Sequence, residues 1–372
     1  VVFSRTGLQW RTAPPVPSIP CNVTSITQDG AATVSWQHPG DNGTASYTIT
    51  AYANGTTPGP FAQVPAPASY GQVTGLANST PYAFTVKAAN RGGFSAESPV
   101  SGQNTPLANL LFGDDFGGSV IDPAWVIPAR DGDQSNSETQ FYVPQRAALD
   151  GASNLVLTLL NQPVQAPGYA DANPPGYGGP LVTRQYQSAR AEMAWPGAAA
   201  PAYPAANGFT QRGFNWLYGQ CQVRAKVANL PGAGWPAIWQ LGSGCQQTDP
   251  LNPDNVGSCS WPNPGSEEID IAEFRNGTIT AYNAYTQYAA GNSGTTSISV
   301  SSADTAYHTY EADWSPGTIN WLLDGATVGN SPWTTSVAAT AQFLLLQVAA
   351  RGTITAFTTP QMTVDWVRVF HN

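Results

Sequence analysis

The chain of 372 residues is long enough for two domains, and its formal net charge is -9 with a pI ≈ 4.6. The acidic balance excludes a nucleic-acid footprint and disfavours anionic polymers, and no apolar run is long enough to span a bilayer, so neither nucleic acid nor membrane is expected as a partner. Only 10% of residues are charged, while Gly (37), Pro (32) and Trp (12) are abundant and long helical periodicity is absent, which predicts an all-β, loop-rich protein.

Residues 1–14 predict no element, and Val1-Val2-Phe3-Ser4-Arg5 does not read as a signal peptide, so an already processed chain is expected. Residues 15–106 read as about seven short strands between Gly, Pro and Asn turns, the pattern of a β-sandwich. Val34-Ser35-Trp36 places a Trp where it fills the space between two sheets. Tyr82-Ala83-Phe84-Thr85-Val86-Lys87-Ala88 alternates cleanly after Leu76, with Tyr82 placed for a tyrosine corner. On these features the segment resembles a fibronectin type III domain. It holds no ionisable cluster, so a spacer or docking role is expected of it.

Asn104-Thr105-Pro106 reads as a short linker. Residues 108–372 then predict one nearly all-β domain, with strands at Asn154–Leu160, Gly219–Val227, His308–Trp314, Ile319–Leu323, Phe343–Ala349 and Met362–Phe370. Pro316-Gly317 and Asp324-Gly325 supply hairpin turns. So many strands without crossover helices predict a β-jelly-roll sandwich of two antiparallel sheets. Trp36, Trp314, Trp321 and Trp366 fall in alternating strands and are expected in cores.

Four cysteines are present. Cys245 and Cys259 bracket a loop rich in Pro, Asn, Gly and Asp, where a disulfide would stabilise by about 3 kcal/mol and would imply an oxidising compartment. Cys221 fits a buried free thiol, with a bond to Cys21 as the open alternative. The spacing lacks CxxC pairs and the chain has three histidines, so zinc is not expected.

The most informative segment is Glu268-Ile269-Asp270-Ile271-Ala272-Glu273. Positions i and i+2 of a strand share a face, and i+5 does not. One inserted residue, expected at Ala272, would return Glu273 to the face of Glu268 and Asp270. Acidic runs more often lie on a solvated face or a helix's first turn. Here Pro262, Pro264 and Gly265 upstream and Asn276-Gly277 downstream leave room for a strand instead. Three adjacent carboxylates repel one another, which argues for acid–base chemistry.

Several further motifs accompany this strand. They are Trp235-Pro236-Ala237-Ile238-Trp239, Trp261-Pro262 with Gly265, Asn136-Ser137-Glu138-Thr139-Gln140-Phe141-Tyr142, Asp114-Asp115-Phe116 and Val364-Asp365-Trp366-Val367-Arg368-Val369. With the acidic strand they make the second domain similar to glycoside hydrolase family 16, in its laminarinase-like β-1,3-glucanase branch. The resemblance implies that Glu268 is the nucleophile of a retaining double displacement, Glu273 the acid/base and Asp270 the residue that orients Glu268. It implies sugar platforms at Trp235, Trp239 and Trp261, and hydrogen bonds to sugar hydroxyls from Asn136 and Arg190. No cofactor is expected for catalysis. A structural calcium is implied, with the Asp365 side chain and backbone oxygens near Asp115 and Gly151, though one carboxylate is a thin donor set for a hard cation.

The chain departs from the family in two places. Thr280-Ala281-Tyr282-Asn283-Ala284-Tyr285 lacks the histidine usual after the acidic strand, and Gln347-Val348-Ala349-Ala350-Arg351-Gly352 replaces an Asn-x-Ala-x-Gly-Gly pattern. The Ala/Pro/Gly-rich stretch 194–211 reads as an inserted loop at the cleft rim. The expectation is a secreted, monomeric, endo-acting enzyme that cleaves neutral β-1,3-glucan of the laminarin type or mixed-linkage β-glucan. The alternatives are a galactanase, agarase or transglycosylase of the same fold, or an inactive glucan-binding protein.

Overall fold

A computed structural model describes residues 13–40, 43–132, 136–170, 176–193, 212–243, 265–288, 291–331 and 340–372. The described regular structure is almost entirely β, with one short 3-10 turn at Pro144–Arg146. No helix among the described residues is long and apolar enough to cross a membrane.

The first sandwich pairs Cys21–Gln28, Ala31–Gln37 and Tyr70–Thr74 in one sheet. It packs against a second sheet of Thr57–Pro65, Ser46–Ala53, Tyr82–Asn90 and Gly93–Phe94. Alternation drives Val34, Trp36, Ile49, Phe84 and Val86 into a shared core where each is fully buried. Trp36 fills the inter-sheet space as its position predicts. The Tyr82 hydroxyl accepts the Ala77 backbone N–H at 3.1 Å, which ties the strand to the connection before it.

The second domain has an outer sheet in the order Ala326–Ser331, Thr318–Leu323, His308–Ser315, Gly219–Lys226, Gln361–Phe370 and Leu110–Asp114. Its inner sheet runs Arg190–Glu192, Gln342–Ala350, Gly234–Gly242, Glu268–Glu273, Ala281–Tyr288 and Gly291–Ser299. Val223, Ala225, Val364, Val367, Trp314 and Trp321 from the outer sheet and Ile238, Ile269, Ile271, Leu344 and Leu346 from the inner one fill the space between them. Trp366 departs from its expected core position. The register slips between Arg224 and Ala225, so Asp365 becomes a bulge residue. Trp366 is then only half-buried, with the Arg368 guanidinium 4.2 Å from its ring centroid.

The expected linker is an interface instead. The Leu110–Asp114 strand pairs with Gln361–Phe370 on one side and meets Cys21–Gln28 at Thr27 and Gly113 on the other, so one sheet runs through both domains. Asn104 accepts the Asp115 N–H at 2.7 Å, and Asp115 accepts the Thr105 N–H at 2.9 Å. Ile26 of the first domain lies in the core of the second.

Candidate active site

The acidic strand is central in the inner sheet, and its irregular pairing orients the carboxyls. Against Ala281–Tyr288, Asp270 pairs with Tyr285 and Glu273 with Asn283, so Ile271 and Ala272 together oppose Ala284. Against Gly234–Gly242, Ala272 pairs with Ile238 but Asp270 with Trp239, which leaves Ile271 as the extra residue. The kink thus spans Ile271–Ala272 rather than Ala272 alone. Ile269, Ile271 and Ala272 all enter the core, because three apolar side chains gain more from burial than a regular pleat would allow. Glu268, Asp270 and Glu273 are left together on the opposite face, as the spacing predicts.

Glu268 is half-buried, and its Oε1 accepts the Gln287 amide at 2.8 Å. Asp270 is buried beside it, with one carboxyl oxygen, Oδ2, lacking any hydrogen-bond partner. Burial first, then the charges of Glu268 and Glu273, push Asp270 well above the usual carboxylate range, so it holds a proton that Glu268 accepts. One anion with a protonated neighbour suits Glu268 to nucleophilic attack.

This carries a stability consequence with a definite sign. A carboxyl whose pKa is raised on folding contributes fully below its unfolded pKa of about 4, and that contribution is lost as pH rises through the folded value. Asp270→Asn removes the titration and keeps an N–H for Glu268. Thermal unfolding from pH 4 to pH 8 is expected to show the variant gaining on the parent by up to about 1.4 kcal/mol per pH unit within the window. Parallel curves would refute the perturbed state of Asp270. Turnover is expected to fall about 10-fold or more, since Asn donates more weakly than a carboxyl proton.

Glu273 is buried among donors. The Trp235 indole N–H donates to its Oε1 at 2.8 Å, and the Tyr285 hydroxyl donates to its Oε2 at 2.6 Å. Arg275 completes the cluster, with Nε 2.6 Å from the same oxygen as an ion pair.

Other expected residues divide between supporting roles and places outside the described structure. Trp235 is buried, with the Arg351 and Arg275 guanidiniums 4.8 and 5.6 Å from its ring centroid, so it holds Glu273 and offers no free face to a sugar. Trp239 is half-buried opposite Asp270, and its indole nitrogen has no partner. Arg190 is buried against Glu192 at 2.9 Å and Gln347 at 3.3 Å and stacks 5.1 Å from the Trp239 ring centroid, which makes it a support for Trp239. Asn136 is half-buried at the head of the segment that docks on the inner sheet through Thr139 N–H to Ala350 O. Trp261, Cys245, Cys259 and the loop 194–211 lie outside the described residues. Cys221 is a buried free thiol and Cys21 is also free, so the two form no bridge.

The calcium residues do not fit a cation as they stand. Asp365 is ion-paired with Arg224, Asp115 with Arg368 at 3.2 Å, and Gly151 is an exposed turn residue. A guanidinium already occupies the one side-chain donor, and no cluster of metal-ligating side chains occurs among the described residues.

The missing histidine has a structural counterpart. His38, His308 and His371 all bond elsewhere, to Ser18, to Asp324 and Ser301, and to Asn372. The Ala281–Tyr288 strand instead presents Tyr285 to Glu273 and Gln287 to Glu268. Tyr285 and Gln287 were legible from two-residue spacing, since both align across the ladder with the acidic face. Arg275, in the turn beyond the strand, left no such signal.

Residues 187–368 match the family model of the glycosyl hydrolases family 16, and residues 15–103 match that of the fibronectin type III domain. A beta-glucanase of Rhodothermus marinus is 34% identical over 232 residues, which cover 59% of this chain and 64% of that protein. A glucan endo-1,3-beta-glucosidase of Cryptopygus antarcticus is 32% identical over 118 residues, covering 30% of this chain and 38% of that protein. The chain therefore spans less than two thirds of these relatives' length. In fold it is similar to the laminarinase catalytic domain of Thermotoga maritima MSB8, with a TM-score of 0.52 at 21% identity over 71% of this chain and 98% of that one.

Proposed function

We propose that this chain, which joins a fibronectin type III domain to a family 16 glycosyl hydrolase domain, is an endo-acting, retaining β-glucanase that cleaves β-1,3 linkages. The observation that carries the reading is the kink at Ile271–Ala272, which sets Glu268 and Glu273 on one face with Asp270 between them. Glu268 would attack the anomeric carbon while Glu273 gives its proton to the departing glycosidic oxygen. Glu273 would then take a proton from water as that water's oxygen displaces Glu268. Trp239 supports a neutral sugar beside this point, because its half-exposed ring offers an apolar face to sugar C–H bonds. The β-glucanase assignment follows the name of the Rhodothermus marinus relative, and the endo and β-1,3 assignments that of the Cryptopygus antarcticus relative. A polymeric substrate favours an extracellular enzyme, in which a Cys245–Cys259 bridge would persist.

The test is incubation with laminarin, mixed-linkage β-glucan and agarose, following reducing ends, product sizes and anomeric configuration. Short β-anomeric products from laminarin are expected first. Products longer than the substrate would make the chain a transglycosylase, release from agarose alone a galactanase, and binding without new reducing ends a lectin.

A further inference from the structure

We propose that Tyr285 and Arg275 form a positioning pair for Glu273 that serves both halves of the double displacement. The inference deepens the glucanase reading and rests on it. The geometry is specific. The Tyr285 hydroxyl lies 2.6 Å from Glu273 Oε2, the Arg275 Nε lies 2.6 Å from the same oxygen, and a terminal nitrogen of Arg275 donates to the Tyr285 hydroxyl oxygen. Trp235 holds the other carboxyl oxygen. Glu273 is thus fixed at both oxygens, whereas its role demands two protonation states.

A tyrosine hydroxyl is suited to that demand. It donates to Glu273 when the carboxylate must act as base. It accepts from the carboxylic acid when Glu273 carries the proton destined for the leaving sugar. Arg275 donates to the tyrosine oxygen in either state, so that oxygen keeps a fixed donor as the proton moves. Tyr285 keeps its own proton, since burial, then Asp270 and Glu273, push its ionisation above the usual range. Among the described residues, the charged or titratable groups that face Glu273 are Tyr285 from the neighbouring strand, Arg275 from the turn and Asp270 from its own strand. The side chain of Arg275 is 40% exposed, so it can be replaced without opening the core.

The experiment compares the parent with Tyr285→Phe and Arg275→Gln on two substrates. One is laminarin, whose leaving sugar needs a proton. The other is a 2,4-dinitrophenyl β-glycoside of a laminari-oligosaccharide, whose leaving group needs none. On laminarin, kcat/KM is expected to fall about 10- to 100-fold in each variant, within the range of general acid catalysis. On the dinitrophenyl substrate, kcat/KM is expected to hold within about 3-fold, because that ratio reports the first step alone. Its kcat should fall with KM, a burst of dinitrophenolate should appear, and azide, which needs no base, should restore turnover as a β-glycosyl azide. Equal losses of kcat/KM on both substrates, or no loss on laminarin, would overturn the pairing. A parent inactive on both substrates would instead sink the glucanase reading, so the two failures are distinct.

Discussion

Glu268→Ser is expected to lower glucan hydrolysis by on the order of 10⁴-fold while the chain still folds and still binds glucan. The loss follows from the role proposed for Glu268. Without a carboxylate on the face opposite the leaving group, no glycosyl-enzyme ester forms, and the remaining Glu273 can protonate a bond that nothing attacks. Folding should survive because Glu268 is half-buried and lies beside two further carboxyls. Removing it takes away the charge that Asp270 faces together with the acceptor of its proton, two effects of opposite sign, so the melting temperature is expected to stay level. The sharper readout is rescue. Serine leaves room for azide on the vacated side, and attack from there gives an α-glycosyl azide. Retained hydrolysis, or an azide product of β configuration, would remove Glu268 as nucleophile.

The acidic face was legible in the sequence because it depends on period, whereas the nucleophile's role came from the resemblance to glycoside hydrolase family 16. Alternation between Glu268, Ile269, Asp270 and Ile271 gives a strand with an acidic face, and the odd spacing to Glu273 demands an extra residue. The extra residue is shared between Ile271 and Ala272, since the two flanking strands slip at different points. Single-strand periodicity carries no information about a neighbour's register. The same limit hid the true partners of Trp235. A Trp beside an acidic strand reads as a sugar platform, yet its ring is flanked by Arg275 and Arg351, which lie 40 and 116 positions along the chain. The partner of Asp365 was hidden for a related reason. Arg224 sits opposite Trp366 across the bulge at Asp365, and that pairing brings a guanidinium to the one carboxylate the site needs.

The boundary between the domains misled more deeply, and it yields the second large effect. Asn104-Thr105-Pro106 has the composition of a linker, but each flanking group is bonded across the junction. Removal of residues 1–106 is expected to lower the melting temperature of the remaining domain by roughly 10 °C or to make it aggregate. The deletion takes Ile26 out of the second domain's core, worth about 1.5–3 kcal/mol. It also removes the hydrogen bonds of Asp29 N–H to Leu110 O, of Asn109 N–H to Asp29 and of Thr27 to Gly113 O, each worth about 0.5–1.5 kcal/mol. A loss of that size corresponds to about 2–4 °C per kcal/mol in a domain of this length. The Leu110–Asp114 strand would become a bare sheet edge, open to pairing with another copy.

Gly102→Ala tests the same docking without deleting anything. A Cβ at Gly102 would lie 2.0 Å from the backbone carbon of Gly117, so the two segments must part. It is expected to reproduce part of the deletion's thermal loss while kcat at low temperature stays level, since no group on the acidic face touches this junction. The measurements are thermal unfolding and laminarin turnover at two temperatures for parent, deletion and variant. Unchanged melting in both altered chains would mean that the first domain is a passenger and the shared sheet a contact without energetic weight. A fall in both would make it part of the second domain's own fold.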